Sequence, residues 1–189
     1  MNQISQFRFP VDIRFGVRAR NMLAEFAKKF KVSKPLLITD SKLAETEVFR
    51  IISGEMARTW PGGYECFTGV SPNPTDRDVD HAFKSYQKSS CDGVVGVGGG
   101  SAIDAARAMR LKVTFPSLAI LDIPFDHLPD KLTPFCAVPT TAGTGSEVGQ
   151  SNVITIRSLE RKVVIGTAQL MAGMAILDPE LTIGLPADN

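Results

Sequence analysis

The hydrophobic residues of this chain follow two periods, one typical of buried strands and one typical of amphipathic helices. The apolar runs are short and nearly continuous, as in strands that are covered on both faces. Such strands, separated by helical stretches, predict an α/β domain with a Rossmann-like, mostly parallel sheet flanked by helices. The predicted strands are 35–39, 66–70, 93–97, 135–138 and 175–177, the predicted helices are 19–30, 41–52, 79–86 and 101–111, and two further β-rich segments, 153–156 and 162–165, follow a polar, glycine-rich loop.

The N-terminal residues show a strict alternation. Apolar side chains occupy every second position from Phe7 through Phe9, Val11 and Ile13 to Phe15, which predicts a strand or hairpin with one buried face. A proline at position 10 lacks a backbone N–H, so we expect this strand at an edge of the sheet or at a bulge. An edge strand of this kind can pair with its counterpart in a homodimer.

Composition and charge exclude several classes of protein. The 189 residues are 43% hydrophobic and 22% charged, enough for one well-buried domain over 1–189. The net charge of +1 gives no electrostatic case for nucleic acid, and no segment reaches the ~18 apolar residues that span a membrane. The N-terminus does not have the pattern of a signal peptide. Cys66, Cys91 and Cys136 have no CxxC spacing, which indicates free thiols in the cytoplasm.

A glycine-rich turn joins one predicted strand to a predicted helix. Gly98, Gly99 and Gly100 let the backbone approach a ligand closely, and the N-terminus of the following helix offers unpaired N–H groups. This combination predicts a phosphate or diphosphate site. The alternative is a turn without a ligand, with Ser101 as N-cap and Asp104 completing a capping box. We expect Asp104 to be structural, since a carboxylate would repel a diphosphate.

Asp40 directly follows the predicted strand 35–39. A carboxylate at such a strand end can accept both hydroxyls of an adenosine ribose and would repel a 2′-phosphate, which favours NAD over NADP. In the usual dinucleotide fingerprint the acid follows the glycines by ~20 residues, whereas here it precedes them, so a differently connected α/β domain is required. The alternative is that Asp40 only caps the next helix.

A second candidate loop spans residues 139–148, PTTAGTGSEV. Its hydroxyl and carboxyl groups stand among small residues after an apolar strand, so the loop is suited to surround a polar ligand. Glu147 is expected to cap a short helix after it. The alternative is a flexible surface loop.

Four motifs, SPNPT, GGGSAIDAARAM, PTTAGTGSEV and AILDPELTIGLP, resemble the iron-dependent alcohol dehydrogenase family. The likeness runs from Phe7 to the last residue. It implies the N-terminal α/β domain of the dehydroquinate synthase-like superfamily, followed by an all-helical metal domain. Glycerol dehydrogenases and dehydroquinate synthases are less similar, since they typically lack the serine after the glycines and the AGTGSE continuation.

The resemblance also implies roles for individual residues. The family usually has lysine at the position of Arg107, so we expect contacts on that helix surface to differ. For Lys162 the alternative is an exposed charge on a strand. By resemblance, Gly98, Gly99, Gly100 and Ser101 hold the diphosphate, Asp40 faces the adenosine ribose, Asn73 lines the dinucleotide cleft, Thr140, Thr141 and Thr144 contact the cofactor, Lys162 lies near the nicotinamide ribose, Leu177 touches the adenine or ribose, and Gln150 to Asn152 border the substrate.

Family members bind a divalent metal through an aspartate and three histidines that follow the LP segment, and this chain stops before them. Its isolated His81 and His127 are expected to be solvated or capping residues rather than ligands. We therefore expect the cofactor-binding half of an NAD-linked alcohol dehydrogenase. The complete enzyme would use Fe²⁺ or another divalent metal, act on a small alcohol or aldehyde and form a homodimer, and no catalytic or metal-binding residue is assigned within this chain. Two alternatives stay open: a non-catalytic NAD-binding module completed by a partner chain, and an activity like that of glycerol dehydrogenase or maleylacetate reductase.

Overall fold

Six parallel strands form the central sheet of this protein, and an antiparallel hairpin lies beside it in the computed structural model, which describes residues 10–184. No helix in this range is long and apolar enough to cross a membrane. The strands are β1 (Asp12–Phe15), β2 (Pro35–Asp40), β3 (Glu65–Val70), β4 (Gly93–Gly98), β5 (Phe135–Pro139), β6 (Ser151–Ile156), β7 (Arg161–Gly166) and β8 (Met174–Leu177), and the helices are α1 (Leu23–Phe30), α2 (Ser41–Ala44), α3 (Glu47–Thr59), α4 (Asp76–Lys88) and α5 (Gly100–Thr114). Short 3₁₀ turns cover Ala19–Met22, Ile120–Asp122, Phe125–His127, Arg157–Leu159, Ala168–Leu170 and Pro179–Leu181.

The strand order of the sheet is β1-β8-β5-β4-β2-β3. All neighbours are parallel, so the carboxyl ends of β2, β4 and β5 lie side by side at one edge. From β2 the chain continues outwards to β3, whereas from the neighbouring β4 it continues in the opposite direction to β5, so the carboxyl ends of β2 and β4 flank a topological switch point. In open α/β sheets a ligand crevice forms at such a point. The glycine turn after β4 occupies it.

The core lies in two layers, one on each face of the sheet. Along β2, Leu36 and Ile38 pack under α4 and α5, whereas Leu37 packs under α1 and α3. Both faces are therefore covered, which explains why the strands are apolar at successive positions. The hairpin β6–β7 joins the α4–α5 layer through Ile154 and Ile165.

The predicted α/β architecture and its strands are confirmed, with three local differences. At the N-terminus β1 is an edge strand as expected, but the predicted buried face is wrong for Ile13 and Phe15, which are exposed, and Phe7 and Phe9 lie outside the described residues. The predicted helix 19–30 begins as a 3₁₀ turn. The single predicted helix 41–52 is wrong, because Thr46 has an extended backbone and its Oγ1 accepts the Phe49 N–H as the N-cap of α3. Here a local cap overrides a continuous hydrophobic period.

The three cysteines are free thiols, as predicted, and Cys91 and Cys136 are buried. Burial raises the pKa of Cys66 and Cys91 from 9.0 to about 11, and it raises the pKa of Cys136 as well. The native thiols should therefore hold their protons at a pH where those of the unfolded chain are released.

We expect the free energy of unfolding to fall as the pH rises from 9 to about 11, because the native state binds more thiol protons in this window. Urea denaturation at the two pH values measures the fall, and the double variant Cys66→Ala, Cys91→Ala should show a smaller one. Mass spectrometry after iodoacetamide treatment at pH 8 should find the native thiols unlabelled. Labelling of the native chain as fast as in urea would contradict this prediction.

Candidate functional site

A cleft of about 470 Å³ opens at the carboxyl edge of the sheet, over the switch point. Its walls come from the β2–α2 junction, the loop after β3, the β4–α5 turn and the loop after β5. The fold thus brings together residues that lie far apart in sequence but follow neighbouring strands. Among the predicted site residues, Asp40, Gly99, Gly100, Ser101, Thr140 and Thr141 line this cleft.

The glycine turn contains positions of two kinds. Gly98 has φ +140°, and a Cβ there would lie 2.9 Å from the Ala102 Cβ, so the fold itself requires glycine. Gly99 has an ordinary extended backbone with φ −76°. A Cβ on Gly99 would meet only Thr141, at 3.5 Å, which is an ordinary contact. Neither the backbone conformation nor the space around position 99 by itself requires glycine.

The prediction that Ser101 caps α5 and that Asp104 completes a capping box is wrong. The helix begins at Gly100 with Gly99 as N-cap, and no side chain caps it. The Ser101 hydroxyl instead donates a hydrogen bond to the Pro72 carbonyl at 2.5 Å. Among the described residues no side chain therefore caps the first turn of α5, and uncapped N–H groups of this kind can bind an anion.

Asp104 is structural, as expected, but through contacts other than a capping box. Its Oδ2 accepts the Val153 N–H at 3.0 Å, and its Oδ1 lies 3.3 Å from the Arg107 Nη1. Burial raises the pKa of Asp104. The carboxylate joins α5 to the hairpin.

Asp40 serves as the N-cap of α2, because its Oδ1 accepts the Leu43 N–H at 2.9 Å. Its Oδ2 lies on the side of the glycine turn, 3.6 Å from the point that a Cβ on Gly98 would take. One oxygen is used by the helix and the other is turned towards the cleft. Capping and ligand binding are therefore compatible at this residue.

The loop after β5 forms the opposite wall, and we call residues 140–149 the threonine loop. The Thr140 N–H donates to the Gly98 carbonyl at 3.0 Å, which fixes the start of the loop against the glycine turn. The Thr141 hydroxyl is buried beside Gly99 and has no hydrogen-bond partner among the described residues. Thr144 lies next to Gly100. The helix expected after Glu147 does not form, since residues 146–148 make a turn.

The other predicted residues lie outside this cleft. Leu177 lines a second cavity of about 390 Å³, which shares Thr141 with the cleft. Asn73 is exposed in the loop after β3, and Lys162 is exposed on β7. The suggestion that Asn152 borders a substrate is wrong, because its side chain is fully buried against Arg107.

Two buried charged residues near the site were not predicted from the sequence. Arg107 was expected on a helix surface, but it is fully buried. Asp178, directly after β8, is also buried and accepts the N–H groups of Arg18 and Arg20 while pairing with the Arg20 guanidinium at 2.7 Å. Its position between a strand and a proline is the sequence signal that could have indicated a turn cap.

The described residues do not fit a metal ion. Within residues 10–184 no three His, Cys, Asp or Glu side chains are grouped so as to hold one. His81 and His127 are exposed, as expected of solvated side chains.

Residues 10–179 match the sequence profile described as iron-containing alcohol dehydrogenase. The chain is 34% identical to choline dehydrogenase of Bacillus subtilis (strain 168), over 98% of this chain and 47% of that protein. It is 33% identical to 4-hydroxybutyrate dehydrogenase of Cupriavidus necator, over 94% of this chain and 46% of that one. The solved structure of sulfoacetaldehyde reductase from Bifidobacterium kashiwanohense in complex with NAD⁺ superposes with a TM-score of 0.85 at 30% identity, covering 98% of this chain and 49% of that one. The chain thus spans about half the length of these relatives.

Proposed function

This chain belongs to the iron-containing alcohol dehydrogenase family, and from that membership we propose that it is the NAD-binding half of a dehydrogenase that interconverts a small alcohol and its aldehyde or ketone. Residues 1–189 would form the dinucleotide-binding domain. The described residues offer no metal site, so we assign no step of the reaction to a metal held by them.

The observation that carries the proposal is the glycine at position 99. Its backbone accepts a side chain without strain, yet a side chain would fill the space between it and Thr141. The N-terminus of α5 and the Thr141 hydroxyl, neither of which has a side-chain partner among residues 10–184, border the same space. These features support a diphosphate seat, in which N–H groups and the helix dipole bind the anion and Thr141 adds a hydrogen bond.

The chain's own residues would bind and orient the dinucleotide. Asp40 would accept the hydroxyls of the adenosine ribose through the oxygen that does not cap α2, and the same charge would repel the 2′-phosphate of NADP. Gly98, Gly100 and Ser101 would complete the diphosphate seat, and Thr140 and Thr144 would hold the opposite wall. When bound, the nicotinamide ring supplies the hydride acceptor or donor, which must be held in contact with the substrate carbon. Asn73, Lys162 and Leu177 are proposed as outer contacts of the cofactor.

We also propose a substrate class, an oligomeric state and a cellular location. Two relatives are named for choline and 4-hydroxybutyrate, which supports a small hydroxyl compound as substrate. A homodimer through β1 is supported by its position at the sheet edge and by the 77% exposed Phe15. A cytoplasmic location is proposed from the free thiols.

Calorimetric titration of the 189-residue chain with NAD should show one saturable site with Kd below about 1 mM, and ADP-ribose should compete for it. Absence of binding would contradict the proposal. With NAD, an alcohol and added Fe²⁺ or Zn²⁺, we expect no turnover by the pure chain. Chelator-sensitive turnover would show that this chain is more than the cofactor-binding half.

A second candidate, an NAD-binding module completed by a separate partner chain, would use the same cleft. Sedimentation of the purified chain, with intact mass measurement of any co-purifying polypeptide, distinguishes the two.

A further inference from the structure

The guanidinium of Arg107 reaches from α5 to the Ser146 carbonyl in the threonine loop. We propose that Arg107 is a positioning residue, which holds the threonine loop at the distance from the glycine turn that cofactor binding requires. This inference rests on the proposed function for the identity of the ligand. The anchoring of the loop follows from the hydrogen bonds of the Arg107 side chain alone.

Arg107 is fully buried in the middle of α5. One of its terminal nitrogens donates to the Ser146 carbonyl within the threonine loop. The other donates to the Ser151 carbonyl and, at 3.3 Å, to the Asn152 Oδ1, both on β6. A single planar side chain thus fixes the loop and the hairpin to the helix that begins at the glycine turn.

The threonine loop makes few other hydrogen bonds. Beyond Thr140, its hydrogen bonds join loop residues to one another: Val148 to Gly145, Gly149 to Ser146, and the Ser146 N–H to the Thr144 hydroxyl. Over the described part of the chain, the bond from Arg107 is the one hydrogen bond that links residues 141–149 to another element. Apart from the packing of Val148 against the core, this bond is what holds the middle of the loop to α5.

The anchored carbonyl belongs to the residue that faces the glycine turn. The Ser146 Oγ lies 3.0 Å, and the Thr144 Cβ 3.7 Å, from the point that a Cβ on Gly100 would occupy. A shift of Ser146 would change the space beside Gly100, which lines the cleft. If the anchored form of the loop falls to about a tenth of the molecules, the apparent Kd rises about tenfold.

The same helix offers a matched control in Arg110, which is also buried. Its guanidinium donates to the carbonyls of Thr133, Leu170 and Gln169, which lie towards the amino-terminal ends of β5 and β8. Loss of Arg110 removes a buried charge and several carbonyl contacts without touching the cleft. The Arg110→Met variant therefore measures how much stability is lost when a buried arginine away from the cleft is removed.

The experiment compares Arg107→Met, Arg107→Lys and Arg110→Met in the full chain by NAD titration and by hydrogen exchange of residues 141–149. We expect Arg107→Met to raise the Kd for NAD about tenfold and to speed exchange in the loop, with Arg107→Lys in between, since its ammonium still reaches a carbonyl. Arg110→Met should lower stability but keep the native Kd and loop exchange.

Equal Kd and equal loop exchange in the Arg107→Met and Arg110→Met variants would overturn the positioning role. If Arg107→Met does not fold, Arg107→Lys decides, and native loop exchange together with native Kd in that variant would count against the proposal. A native chain that binds no NAD contradicts the proposed function instead, while the exchange comparison still decides whether Arg107 orders the loop.

Discussion

Replacing Gly99 with valine is expected to weaken NAD binding about 100-fold while lowering the free energy of unfolding by only ~1 kcal/mol, because valine is a poorer N-cap of α5 than glycine. Position 99 has an extended backbone that a β-branched residue readily adopts. The isopropyl group would occupy the space in front of Thr141, where the diphosphate is proposed to approach the backbone. Losing two charge-assisted hydrogen bonds accounts for the factor. Calorimetric titration and thermal melting measure the two effects.

Two further glycine variants serve as controls for the effects on NAD binding and on stability. Gly54→Ala lies in α3 with open space around its Cβ, so it should leave NAD binding unchanged and raise stability by about 1 kcal/mol. Gly98→Ala should lower stability, because its φ and its contact with Ala102 both oppose a side chain. Native NAD affinity in Gly99→Val would remove the main support for a diphosphate seat at this turn.

The sequence indicated the sheet well because its strands are buried on both faces. Runs such as Leu36–Ile38 and Val94–Val97 must be apolar at every position, and this signal is local. The errors arose where a cap or a distant carbonyl decided the structure. Thr46 ends one helix and begins another through a single hydroxyl, and Ser101 bonds to Pro72 in another loop instead of capping α5.

The site could be predicted as far as it depends on strand ends. Asp40 ends a strand, and Gly99 and Thr141 follow strands. Parallel strands bring their carboxyl ends to one edge, so the convergence of these residues follows from the order of the elements. The buried supports could not be predicted in this way. The sequence predicts Arg107 as a cation on a helix surface, because the carbonyls that it binds, those of Ser146 and Ser151, lie 39 and 44 positions later in the chain. Nothing local marks the carbonyls that it binds.

Replacing Asp40 with asparagine is expected to reduce the preference for NAD over NADP about 100-fold, with little loss of stability. Asparagine caps a helix about as well as aspartate, so the bond to the Leu43 N–H is retained. The variant removes the charge that would oppose a 2′-phosphate. Two like charges about 5 Å apart repel by ~3 kcal/mol at an effective dielectric constant of about 20, which corresponds to this factor. Titrations with NAD and NADP give the ratio.

The matched control for this change is Asp92→Asn. Asp92 also accepts backbone N–H groups, those of Ser33 and Lys34, but it precedes β4 and therefore lies at the opposite edge of the sheet. Its variant should lose stability and keep the native cofactor preference, because the same charge is removed far from the cleft. A similar drop in preference in both variants would assign the effect to net charge. An unchanged preference in Asp40→Asn would mean that Asp40 only caps α2 and that the adenosine ribose is bound elsewhere.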